Sequence, residues 1–221
     1  MPEKIEPFTL TGSHVRLEPL TLGHIDALTV ASAVDPSLYQ WSAVPTGKDA
    51  TAAYVRTALA GRDAGTAVPF AVVRLADRTV IGSTRFFDLE YWPWPASHER
   101  AARALPDAGE IGYTWYTRSA IRTAANSEAK LMMLTHAFDT WDMVRICLHT
   151  DERNERSCAA MLRIGCRFEG ILRSHRLAVD LIPRNSARYS IIAAEWPGVK
   201  ARLESMRAQY EVKSTEKFTA I

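Results

Sequence analysis

At 221 residues, 47% of them hydrophobic and 24% charged, the chain is long enough to bury one core of ordinary size and too apolar to be globally disordered. Lys and Arg total 27 against 25 Asp and Glu, a formal charge of +2 with the basic residues scattered, which disfavours a nucleic-acid partner. The three cysteines (Cys147, Cys158, Cys166) form no C-x-x-C pair, so neither a disulfide framework nor a metal site is expected. No run approaches the ~18 apolar residues of a membrane span, which predicts a cytoplasmic protein with no membrane partner.

Residues 14–20 alternate polar and apolar side chains and meet Thr21, a good N-cap, ahead of Leu22, Ile25 and Leu28 at helical spacing: a strand, then a helix. Two prolines make 35–47 a loop, and 48–62 reads as a helix closed by Gly61 and Gly65. Strands at 70–75 and 80–87 flank a turn at 76–79. The stretch 88–109 carries Tyr91-Trp92-Pro93-Trp94-Pro95 and an Ala/Arg run, too irregular for a strand and too long for a minimal connection, so it is expected to be a loop insertion with a function or mobility of its own. A strand at 110–117 leads to a helix at 126–141 whose two apolar stripes predict burial over a wide arc. A strand at 144–150 follows, then a helix at 154–164 stopped by Gly165. Strands at 168–177 and 188–194 surround a turn at 180–185, and Pro197 opens a last helix through about 208. The order is α+β around one mixed sheet, a single domain over 1–208 with a polar, frayed tail over 209–221.

The segment 118–127 is a turn of small residues that runs into the central helix. Such a turn exposes unpaired backbone N–H groups at the positive end of the helix dipole, which suits a phosphate, although Asn126, Ser127 and Glu128 are also what an ordinary capped helix start contains. His136 lies in the apolar helix and is expected to be a core residue, whereas His98, His149 and His175 fall near places that border a cleft; none is a metal ligand. Trp41, Trp92 and Trp94, with Tyr39, read either as an aromatic wall for a substrate or as packing over a sheet edge.

Several stretches in order carry a family resemblance. They are Val15-Arg-Leu-Glu-Pro-Leu20, the Gly82 strand, Glu110-Ile-Gly-Tyr113, Arg122-Thr with Asn126-Ser-Glu-Ala-Lys130, Asp151-Glu-Arg-Asn-Glu-Arg-Ser157, Phe168-Glu-Gly170 and Glu195-Trp-Pro197. Together they resemble the GNAT superfamily of acetyl-CoA-dependent N-acetyltransferases, in its RimJ/RimL-like branch. The resemblance implies the GNAT fold, with a mostly antiparallel mixed sheet that splays open and is flanked by helices. It also implies acetyl-CoA as co-substrate, no metal, and direct acetyl transfer to a primary amine, either a protein N-terminus or a small molecule. Homodimerisation stays open.

The family's phosphate loop has a Gln or Arg anchor and two small residues where this chain has Ile121, Ala124 and Asn126, so both usual glycines are replaced. Backbone donation survives if Ala124 keeps a negative φ, Asn126 tolerates the left-handed region, and Arg122 offers a guanidinium to a phosphate. The implied cofactor residues are Arg122, Thr123, Ala124, Ala125, Asn126 and Ser127, main chain at Tyr116 and Thr117, and Asn154 toward the pantetheine amide. An N–H near Tyr113 or Thr114 would face the thioester oxygen. Glu110 is the implied base. Met161 stands where many members have a Tyr for the leaving thiolate, which moves that role to Ser157. The missing glycines and Tyr leave a second expectation beside catalysis: a non-catalytic acyl-CoA-binding or regulatory module on the same scaffold.

Overall fold

In the computed structural model, residues 5–219 are described, with side chains through Tyr210. Eight strands form one sheet in the order β1-β2-β3-β4-β5-β6-β8-β7. The strands are β1 (Leu10–Thr11), β2 (Val15–Pro19), β3 (Ala67–Arg74), β4 (Val80–Glu90), β5 (Ala108–Tyr116), β6 (Arg145–Asp151), β7 (Arg167–Leu177) and β8 (Pro183–Ile192). The helices are α1 (Ile25–Ala33), α2 (Lys48–Asp63), α3 (Ala125–Thr135), α4 (Glu155–Ile164) and α5 (Trp196–Thr219). Every neighbouring pair is antiparallel except β5 and β6. Those two are joined by the crossover that α3 makes, as parallel neighbours require.

Strand alternation sorts the side chains between two faces. On one face Phe70, Phe86, Ile111, Ile146, Leu148, Tyr189 and Ile191 form the main core with α3, α4 and α5. On the other, Ala71 and Trp115 pack with Leu28 of α1 and Val55 of α2 in a smaller cluster. On this face α1 packs mainly against β4 and α2 against β3, toward one end of the sheet, while β6, β8 and β7 make up the other end. Their residues there are polar: His149, Asp151, Arg184 and Arg188.

The α4 helix begins at Asn154, whose Oδ1 accepts the Ser157 N–H at 3.1 Å, and ends at Gly165, whose φ of 104° closes the last turn in the left-handed region. The turn between β7 and β8 comes earlier than the sequence suggests, because Ala178 N–H reaches Ile182 O and Leu181 adopts φ 61°, so β8 starts at Pro183. The connection from β4 to β5 is 91–107, since β4 runs on to Glu90. A π turn, His136–Thr140, ends the central helix. The α5 helix continues past 208 to Thr219 through a run of good helix formers (Gln209, Glu211, Lys213, Glu216, Lys217) with no Gly or Pro to stop it; residues 220 and 221 lie outside the described ones. No described helix is long and apolar enough to cross a membrane.

Candidate active site

The parallel pairing of β5 with β6 lasts three residues, Ala108 with Arg145, Gly109 with Ile146 and Glu110 with Cys147, and then stops. From Ile111 onward β5 pairs only with β4, so its other edge borders an open V whose vertex is Glu110. Thr117 N–H bonds Ile81 O, so by alternation the N–H and C=O of Tyr116 point into the gap. Tyr39 already donates its phenol to that carbonyl at 3.1 Å. Midway along, β5 carries one extra residue opposite Ser83 and Arg85, a bulge at which Tyr113 takes φ 50°. The bulge turns Thr114 toward α3 and Tyr113 toward the opposite face, against Phe87 and Arg85.

At the far end of the V, the N–H groups of Arg122, Thr123, Ala124, Asn126 and Ser127 have no acceptor among the described residues. Ser127 Oγ is buried and also unpartnered. Donors in this number at a helix start fit a diphosphate, and the cradle is built without glycine. Ala124 has φ −63°, which lets the backbone come close. The left-handed residue is Arg122 at φ 61°, while Asn126 sits inside the first helical turn. The Arg122 side chain is exposed and unpaired among the described residues, whereas Arg118 is tied to Asp35.

At the vertex, Glu110 is 6% exposed. Its Oε2 lies 2.6 Å from His149 Nδ1 and its Oε1 lies 3.2 Å from Arg188. Burial raises its pKa, but the His149 hydrogen bond and the charges of His149, Arg188 and Arg176 outweigh that and leave it below the ordinary carboxylate value. With Nδ1 facing a carboxylate, His149 holds its proton there and presents Nε2, which has no partner among the described residues. Ser157 Oγ, one turn into α4, is likewise unpartnered and half-buried.

A family model described as the acetyltransferase (GNAT) domain matches residues 14–167. The chain belongs to the GNAT acetyltransferase family. A GCN5-related N-acetyltransferase from Brucella melitensis superposes with a TM-score of 0.76 at 26% identity, over 92% of this chain and 86% of that one. A protein from T. thermophilus assigned as an acetyltransferase gives 0.74 at 32% identity, over 91% and 98%. Mycobacterium smegmatis RimJ, solved in complex with CoA-disulfide, shares the fold with a TM-score of 0.73 at 21% identity, over 90% and 95%. No curated protein matches. The chain is therefore an acetyl-CoA-dependent acetyltransferase by family, and the V between β5 and β6 is its candidate cleft.

Around that GNAT cleft the aromatic residues separate into two groups. Trp41 lies under Arg153, 4.2 Å from guanidinium to ring, at the start of α4. Trp92 and Trp94 fold back on Asp107, with Trp94 Nε1 and Trp92 N–H each 2.8 Å from its carboxylate, and among the described residues no hydrogen bond or ring contact joins them to Trp41 or Glu110. His136 is stacked on Phe8 and its pKa is held down to about 4 by burial, so it stays neutral inside the core.

Two charged residues were not singled out from the sequence. Lys130 lies on α3 and is buried, with Nζ 2.8 Å from Thr114 Oγ1 and no carboxylate partner among the described residues. Burial lowers its pKa to about 7. Arg85 lies on β4, 5% exposed. Each left a signal: a lysine between the two apolar stripes of a helix expected to be buried, and an arginine inside an apolar strand in the same alternation as Phe87.

Proposed function

We propose that this GNAT protein moves the acetyl group of acetyl-CoA directly to a primary amine, with the thioester placed along β5 and the acceptor on the polar face at Glu110. The observation that carries this reading is the break in pairing at Glu110, which sets an acid–imidazole pair at the vertex of a gap whose other end is a cradle of free N–H groups. Acetyl-CoA supplies the activated acyl group. Arg122 to Ser127 would hold its phosphates, and the Tyr116 main chain and the Asn154 amide would pair with its amide arm as an added strand does.

Glu110 keeps His149 in the tautomer with Nδ1–H, so Nε2 takes the proton that the ammonium acceptor must lose. Arg188 and His149 together keep Glu110 ionised, which suits orientation of the ring better than direct proton uptake. The Ser157 hydroxyl donates to the departing sulfur, a role that the apolar Met161 cannot fill. The acceptor is a small-molecule amine or a protein N-terminus.

Calorimetry with acetyl-CoA, together with thiol release over a panel of amines, tests the reading. Binding with release is expected, and Glu110→Gln and His149→Gln should each lower kcat by about 100-fold while the acetyl-CoA Kd changes little. Binding without thiol release on any amine would make the chain a non-catalytic acyl-CoA module.

A further inference from the structure

The polar face beyond α2 holds more positive charge than its carboxylates balance. Arg85 is the sharpest case. Its guanidinium lies between the Tyr113 ring, 3.9 Å away, and the Tyr54 ring, 4.8 Å away. Its Nε and Nη2 are buried with no hydrogen-bond partner. A guanidinium removed from water and given only ring faces lacks the acceptors that normally offset its desolvation.

Arg184 repeats the pattern across the cleft. Its Nε is buried and unpartnered among the described residues, and Asp151, a carboxylate whose charge acts on it, is already held by two nitrogens of Arg153 at 2.9 and 2.7 Å. Arg176 stands directly opposite Arg184 in the β7–β8 register, and like charges at such a pair repel. Arg176 is tied to Asp88 and Arg188 to Glu110, so Arg85 and Arg184 are left over. Tyr113 stacks on Arg85, on the face of the sheet where Arg184 lies in the same alternation as Arg188, the partner of His149 in the register. Through Phe87, 5.1 Å from Tyr113 and 6.0 Å from His149, the same surface continues to the vertex.

Building on acetyl transfer at Glu110, we infer that the acceptor is an amine that also carries a carboxylate, held by Arg85 and Arg184 beside Tyr113. The two free nitrogens of Arg85, Nε and Nη2, are the side of the guanidinium that meets both oxygens of a planar carboxylate at once.

The test compares acids with their own carboxamides as acceptors: glycine, β-alanine, γ-aminobutyrate, ε-aminocaproate, L-lysine and L-glutamate, with O-phosphoethanolamine as the phosphate arm. At least one acid should exceed its amide in kcat/KM by about tenfold or more, the scale of a charged hydrogen-bonded pair. Arg85→Met and Arg184→Met should each bring that ratio toward one, and Arg85→Lys should fall between, in variants whose circular dichroism matches the parent. A structural role alone would lower both acceptors together and leave the ratio in place.

Amides that work as well as acids, a ratio that Arg85→Met does not move, or phosphoethanolamine ahead of every acid would each overturn the inference while acetyl transfer stands. So would the absence of binding of any of the acids, by calorimetry at about 10 mM with CoA present. The acetyl-CoA calorimetry on the parent protein tests the underlying reading separately.

Discussion

Lys130 shows what burial does to one residue and how that can be measured. Unfolded, its amine keeps a proton to about 10.5; folded, only to about 7. Between those values the unfolded chain binds the extra proton, so stability rises with pH across that window and the penalty is whole below it. Lys130→Met removes the penalty. Thermal unfolding should show a gain of roughly 5 °C at pH 6 that shrinks toward pH 10, and a loss at both pH values would mean that the Thr114 hydrogen bond outweighs the buried charge.

At this scale the sequence was legible where a residue's role follows from its local setting. Asn154 caps a helix and Gly165 ends it, whereas β5 starts at Ala108, two residues before the expected Glu110. It was less legible for Arg85 and Lys130, because whether a charged side chain is desolvated depends on which distant elements close over it. In Arg85 that closure is made by Tyr54, 31 positions away in the chain, and by Tyr113.

Between elements, the attachment of α3 to β2 is the joint on which the proposed cofactor cradle rests. Glu128, one turn into α3, accepts the N–H groups of Ser13, His14 and Val15 at 2.8 Å each. Gly12 lies so close that an added Cβ would come within 2.4 Å of the Glu128 carboxyl carbon. Glu128→Ala strips three backbone donors of their acceptor and should cost about 3 kcal/mol, a fall in Tm of roughly 10 °C. Calorimetric unfolding would show it, and a change below 2 °C would mean that water replaces the carboxylate.

Most element positions followed from periodicity and turn chemistry, since β2, α2 and α4 each have one polar and one apolar side or a clear cap, and β3 is a short apolar run bounded by a turn. Some of the errors fell where a turn or element left no local signal. Leu181 takes the left-handed conformation that glycine or asparagine would have advertised, and the two-residue β1 is too short to leave a pattern. Arg122 is the same kind of exception in the cradle: the left-handed position exists, but an arginine occupies it.

Across the whole molecule, the sheet is two leaves joined at three residue pairs and held together by the helices on one face. A ligand lying along β5 would supply the missing edge. Acetyl-CoA at 100 times its Kd should stabilise the protein by about 2.7 kcal/mol, a rise in Tm of roughly 5 to 10 °C. Amide exchange should slow at Tyr116 and along 122–127, with little change in β3. Protection confined to other segments would place the cofactor elsewhere.

The register of β8 ties folding to chemistry. Arg184, Ser186 and Arg188 alternate with Ala187, Tyr189 and Ile191 along one ladder. Sliding that strand by a single position would drive guanidinium groups into oil and push a tyrosine and an isoleucine into water. The side chains inferred to meet the substrate thus also act as the key that lets the strand seat in only one way, so replacing them wholesale with apolar residues would blur which pairing the chain selects before it ever reached the question of turnover.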